Sequence, residues 1–127
     1  MKIKTDQFGE IEFEEKNIIN FKNGILGFEN LKKYLLISED DGIFFWLVSV
    51  EEPEIIFPLF AINVIQDDFK NVEDYEPYGI VKFDKDPANI TVNLKSPVYI
   101  NQNINKGFQK ILDREDYQVD YQLFIKQ

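Results

Sequence analysis

The feature that most constrains this sequence is a recurring two-residue alternation of apolar and polar side chains. In Gly9-Glu10-Ile11-Glu12-Phe13-Glu14 the apolar groups fall on 11 and 13 and the carboxylates on 10, 12 and 14, which predicts a strand with one wet face. Lys2-Ile3-Lys4 reads the same way, and the turn-forming residues from Asp6 to Gly9 join the two segments into a hairpin. Ile90 to Leu94, Val98 to Asn101 and Val119 to Leu123 alternate likewise. Ile43 to Val48 and Ile55 to Phe57 are apolar on both faces, which suits strands covered from two sides. Asp40-Asp41-Gly42 provides a turn before the first of these, and Glu51-Glu52-Pro53-Glu54 separates the pair. Pro58 has no N–H to donate and marks an edge or bulge within residues 55–65. Helical periodicity is weak. Glu29 to Tyr34 and Gln66 to Tyr75 are the stretches that predict one or two short helical turns. About eight to ten short strands with few helical residues predict a mainly β fold, a single small barrel-like domain over residues 1–127. Its expected core includes Ile11, Phe13, Phe28, Phe45, Leu47, Val92, Leu94, Val98 and Ile100.

Composition narrows the chemistry. The chain has no His and no Cys, which excludes imidazole acid–base catalysis, Cys–His and Ser–His nucleophile systems, His/Cys zinc sites and disulfides. Arg114 is the only arginine, so a cluster of guanidinium forks around a phosphate cannot form. The net charge is −9, opposite to the field that nucleic acid or an anionic membrane attracts. No apolar run reaches membrane-span length, and MKIKTDQFGE lacks a signal-peptide core. The expectation is a cytoplasmic binding protein with no cofactor and no metal.

Acidic residues gather at Glu39-Asp40-Asp41, Glu51-Glu52-Pro53-Glu54, Asp67-Asp68, Glu73 to Glu76, Asp84 to Asp86 and Glu115-Asp116. Each is either an ordinary solvated loop or part of a negative surface that steers a basic partner. None has the spacing of an EF-hand loop. A hydrolase working through carboxylates such as Asp84 and Asp86 stays open on residues alone, as does an acidic mimic of nucleic acid. Phe21 to Glu29 carries Gly24 and Gly27 between aromatics and predicts a bent connection with positive φ that tucks Phe21 and Phe28 into the core. A phosphate loop would need further glycines and a following helix. The strands around Ser96-Pro97 place Thr91, Asn93, Tyr99 and Asn101 at expected outward positions, where they serve either a partner or ordinary solvation.

These motifs, taken in order, resemble the FliW family of flagellar assembly factors. The Phe-x-x-Gly-x-x-Gly-Phe-Glu element is matched by Phe21, Gly24, Gly27, Phe28 and Glu29. The central strand is matched by Phe44, Phe45, Leu47, Ser49 and Val50, followed by Glu51 and Pro53. The signature strand pair is matched by Thr91, Val92, Asn93, Leu94, Ser96, Pro97, Val98, Ile100 and Asn101, and a last element by Gly107, Gln109, Ile111 and Leu112. The sequence departs from the family at Val48, across residues 57–81, and at Tyr117 and Asp120. The resemblance implies a non-enzymatic barrel that binds CsrA, the repressor of flagellin translation, and binds flagellin in competition. Partner contacts are expected at Asn93, Lys95, Tyr99 and Asn101 and at the acids Asp67, Asp68, Glu73 and Asp74.

Overall fold

The computed structural model describes residues 1–38 and 43–124. The acidic run Glu39-Asp40-Asp41 and the turn Asp40-Asp41-Gly42 lie outside the described residues. Strands β1 (Lys2–Thr5) and β2 (Gly9–Glu12) form the expected hairpin, with Ile3 opposite Ile11. The other strands are β3 (Ile19–Phe21), β4 (Lys33–Ser38), β5 (Phe44–Ser49), β6 (Ile56–Ala61), β7 (Glu76–Lys82), β8 (Thr91–Val92), β9 (Val98–Asn101), β10 (Lys106–Gln109) and β11 (Tyr121–Gln122).

Seven of them close a ring in the order β7-β6-β5-β4-β3-β10-β9, with β9 pairing back onto β7. Each antiparallel step reverses strand direction, so an odd ring closes only if one neighbouring pair runs parallel. That pair is β3 with β10, where Phe21 sits opposite Gly107. Strands β8 and β11 extend the sheet outward from β7. Pro58 lies inside β6, opposite Trp46, one residue before the ladder with β7 begins at Leu59. It therefore marks the start of a ladder, not a free edge.

Alternation along these strands sends side chains to two separate cores. Ile19, Phe21, Tyr34, Leu47, Leu59, Tyr78, Val98 and Ile100 fill the barrel. The neighbouring residues Phe60, Val81 and Tyr99 point the other way, and pack with Val92, Leu94, Phe69, Leu112 and Tyr117 from the segments that cover the outer wall. A third cluster of Phe13, Ile18 and Leu35 seats the hairpin against β4. Phe13, Leu47, Val92, Leu94, Val98 and Ile100 are buried as expected, and Ile11 and Phe45 are half-buried.

Phe28 corrects the expectation, being 38% exposed. Gly27 adopts φ 90°, and the Phe28 ring stands outside, edge-on to Phe57 at 5.1 Å. The helical turns also fall elsewhere than expected. Single 3-10 turns occur at Glu15–Asn17, Ile62–Val64 and Pro87–Asn89. Residues 33–38 instead form β4, because their ladder with β5 satisfies backbone groups and buries Tyr34 and Leu35. The Pro87 turn starts as such turns do: Asp86 Oδ1 accepts the Ala88 N–H at 3.0 Å, with proline in the first turn.

Candidate protein-binding surface

The two asparagines of the signature strand pair each close a turn. Asn93 Oδ1 accepts the N–H groups of Lys95 at 2.9 Å and Ser96 at 3.0 Å. Asn101 Oδ1 accepts those of Asn103 at 2.9 Å and Ile104 at 3.4 Å. These bonds replace ladder partners where the strands stop. Asn93 and Lys95 are half-buried.

The outward placement of Tyr99 and Asn101 is corrected. Tyr99 is fully buried and Asn101 only 6% exposed. Strand β9 runs between β7 and β10, and its outer face is roofed over. The Tyr99 ring stacks on Phe108 with centroids 5.2 Å apart, and its hydroxyl donates to the Lys70 carbonyl at 2.9 Å. Burial pushes the Tyr99 phenol up to about 12, helped by Tyr117. Tyr99 therefore anchors the segment that carries the acids Asp67 and Asp68.

Those acids are exposed, as are Glu73 and Asp74. Phe69 and Tyr117 meet with ring centroids 4.6 Å apart, which draws Asp67 and Asp68 toward Glu115 and Asp116. The Arg114 guanidinium lies 4.5 Å over the Tyr117 ring and pairs with Asp116. The bonds from Arg114 hold the Asp116 carboxyl below the usual carboxylate range, and Asp68 contributes to the negative field around Arg114. Two acidic runs far apart in sequence thus share one region, with the only arginine already paired. Glu73 and Asp74 form the tip of a tight turn closed by the Tyr75 N–H donating to the Val72 carbonyl at 3.0 Å. Among the described residues these acids share no ion pair or hydrogen bond with Asn93 or Lys95.

The glycine motif builds a rigid loop. Gly24 has φ 66°, and a Cβ there would meet the Glu29 Cα at 2.7 Å, so the chain doubles back over it. Both carboxylate oxygens of Glu29 accept the Gly27 N–H at 3.0 Å. Gln109, whose role the residue pattern alone does not reveal, ties this loop to the signature strands. Its Oε1 accepts the Leu26 N–H at 2.8 Å and its Nε2 donates to the Ser96 carbonyl at 3.0 Å. Between them lies a groove of about 400 Å³.

Asp84 and Asp86, the carboxylates considered for catalysis, each hold a backbone N–H. Asp84 Oδ1 accepts the Asp86 N–H at 2.9 Å, and Asp86 accepts that of Ala88. Glu51 Oε1 accepts the N–H groups of Lys32 at 2.6 Å and Lys33 at 2.9 Å, fixing the start of β4. Among the described residues no group of three or more His, Cys, Asp or Glu is placed to hold a metal ion. No helix among them is long and apolar enough to cross a membrane.

A small closed barrel whose distinctive side chains either lock turns or stand exposed has the make-up of a protein-binding module. The family model described as FliW protein matches residues 2–123, and the chain belongs to that family. The flagellar assembly factor FliW of Caldicellulosiruptor saccharolyticus is 39% identical, over 96% of this chain and 90% of the relative. That of Clostridium botulinum is 40% identical, over 91% and 92%. A crystal structure of the flagellar assembly factor FliW superposes with a TM-score of 0.88 at 28% identity, covering 99% of both chains.

Proposed function

We propose that this chain is a cytoplasmic, non-enzymatic partner switch in flagellar assembly. It holds CsrA and so relieves repression of flagellin mRNA, and it holds flagellin in competition with CsrA. The observation that carries this reading is the nearly full-length likeness to flagellar assembly factors. Charge supports the CsrA half. CsrA needs positive surface to hold RNA, and the shared acidic region of Asp67, Asp68, Glu115 and Asp116 suits a basic protein. Glu73 and Asp74, on an exposed turn, and Lys95 extend the proposed contact set. Asn93, Tyr99 and Asn101 support it from beneath by holding the segments in place. The chain acts as one unit and touches neither nucleic acid nor membrane directly.

Size-exclusion chromatography of the purified protein with CsrA and with flagellin tests the proposal. Co-elution with each partner alone, and displacement of CsrA by flagellin, is the expected result. Absence of both complexes refutes it. A salt series adds detail, since a contact with an apolar centre retains much of its affinity when screening removes charge steering.

A further inference from the structure

Among the described residues, the N-terminal hairpin shares no ladder with the barrel: β1 pairs only with β2, and the two form a sheet of their own. The terminal amine and the Phe13 N–H extend that pairing, bonding Met1 to Phe13 in both directions at 2.9 Å. The ion pairs of Lys2 with Glu10 and Glu12 also stay inside the hairpin. The turn that follows is closed on itself, since Asn17 and Ile18 donate to the Glu14 and Glu15 carbonyls. A single hydrogen bond links residues 1–18 to the side chains of the described remainder, from the Asn105 amide to the Lys16 carbonyl. Side-chain packing holds the hairpin down instead. Ile3, Ile11 and Phe13 meet Ile18, Leu35 and Val50, and the Phe8 ring stands edge-on to Trp46 at 5.9 Å. What the hairpin covers is an open strand edge. Strand β3 pairs with β4 only at Lys33 and Tyr34, yet β4 continues to Ser38. Past that pairing, Leu35, Leu36 and Ile37 line a groove of about 430 Å³ together with Ile11 and Phe13 of the hairpin. A strand edge left bare invites pairing with other chains.

From this arrangement we infer that residues 1–13 form a strap that lifts from β4 while the barrel stays closed. Lifting gives up side-chain packing and none of the ladders that close the ring. An isolated two-stranded hairpin is marginal in water, so the strap loses its own pairing once it lifts. Its release is therefore a local opening of the native state, reached well below global unfolding. Closed, the strap shields Leu35 and the β4 edge; lifted, it lays them bare. No bound partner is needed for the motion.

Hydrogen exchange of the full chain, read residue by residue by NMR, tests this. The Ile3–Ile11 pair alternates with the bonded Met1–Phe13 pair, so its amides carry ladder bonds and report on the strap. They are expected to exchange about tenfold or more faster than the amides of β5. Gly107→Ala crowds the barrel seam, so β5 exchange should accelerate while Ile3 and Ile11 keep their wild-type rates. Leu35→Ala weakens docking from the barrel side and should speed Ile3 and Ile11 about tenfold or more. Fraying within a docked hairpin would not respond to it. Equal rates for strap and β5 in the wild-type chain overturn the inference. So do strap amides that follow Gly107→Ala, or that ignore Leu35→Ala. Should Gly107→Ala fail to fold, urea supplies the same comparison in the wild-type chain. Strap exchange should rise gently with urea and β5 exchange steeply, because lifting exposes less surface, and equal slopes overturn the inference.

Discussion

The ring of Phe21 occupies the space that a side chain on Gly107 would need. The two residues face each other across the parallel β3–β10 seam, and a Cβ on Gly107 would come within 2.4 Å of the Phe21 ring. Phe21 is fully buried and stacks edge-on to Tyr34 at 5.1 Å, so it has nowhere to retreat. Gly107→Ala is expected to cost about 2–3 kcal/mol, as overpacking a tight core does. Urea denaturation measures the loss, and the double variant with Phe21→Leu should recover part of it. Wild-type stability in Gly107→Ala would disprove the contact.

Val92 is fully buried in the outer-wall core, opposite Val81 and Tyr121. Val92→Asp places an unpaired carboxylate there, at a cost of about 3–5 kcal/mol by analogy with broken buried ion pairs. Thermal unfolding by circular dichroism should show a large drop in midpoint. An unchanged midpoint would mean that this face is not buried.

Tyr99 and Asp68 separate scaffold from proposed contact surface. Tyr99→Phe removes the bond to the Lys70 carbonyl, and should lower stability by about 0.5–1.5 kcal/mol while leaving CsrA affinity near wild type at full folding. Asp67→Lys combined with Asp68→Lys alters only exposed groups, so stability should shift by no more than about 0.5 kcal/mol. CsrA binding measured by titration should nonetheless weaken severalfold and lose much of its salt dependence. The reverse assignment of effects would contradict the proposed surface.

Alkali should unfold the protein in a defined window. Burial pushes the Tyr34 phenol up to about 12, with the Glu51 charge adding to the effect, and Tyr99 likewise. Burial also raises Tyr78, which sits beside Glu76. An unfolded phenol ionises near pH ~10. Between that value and about 12 the unfolded state therefore binds fewer protons than the folded one, and stability falls as pH rises. Below the window the contribution is fully present. With no imidazole or thiol in the chain, stability should stay nearly flat from about pH 6 to 9. The Tyr34 hydroxyl has no hydrogen-bond partner among the described residues. Tyr34→Phe should therefore be close to neutral at pH 7 and should move the alkaline midpoint upward, as read by circular dichroism during base titration.

Local alternation made the hairpin and β9 legible, and an unbroken apolar run did the same for β5, because each strand satisfies its own pattern without help. Strand β4 was not, since the helix formers Glu29, Leu31, Lys32 and Lys33 run up to its start and the ladder with β5 takes over only from Tyr34. Strand β7 contains Pro77 and Gly79, residues that usually argue against a central strand. The outward reading of Tyr99 failed for a related reason. Alternation identifies two faces, but a strand's second face is dry only if some distant segment covers it, and here the cover comes from Phe69 and Tyr117. The acids of the candidate surface were visible as runs. Their meeting was not, because it depends on that same aromatic contact.

The parallel seam also sets when the barrel can close. Strand β3 has no completed partner on its open side until residues 106–109 exist, so a chain made only up to that point carries an unsealed, half-greasy sheet. Closure comes late and all at once, as expected when decisive contacts join distant parts of a chain. Fragments that stop short of β10 cannot close the barrel and should be cleaved readily by proteases.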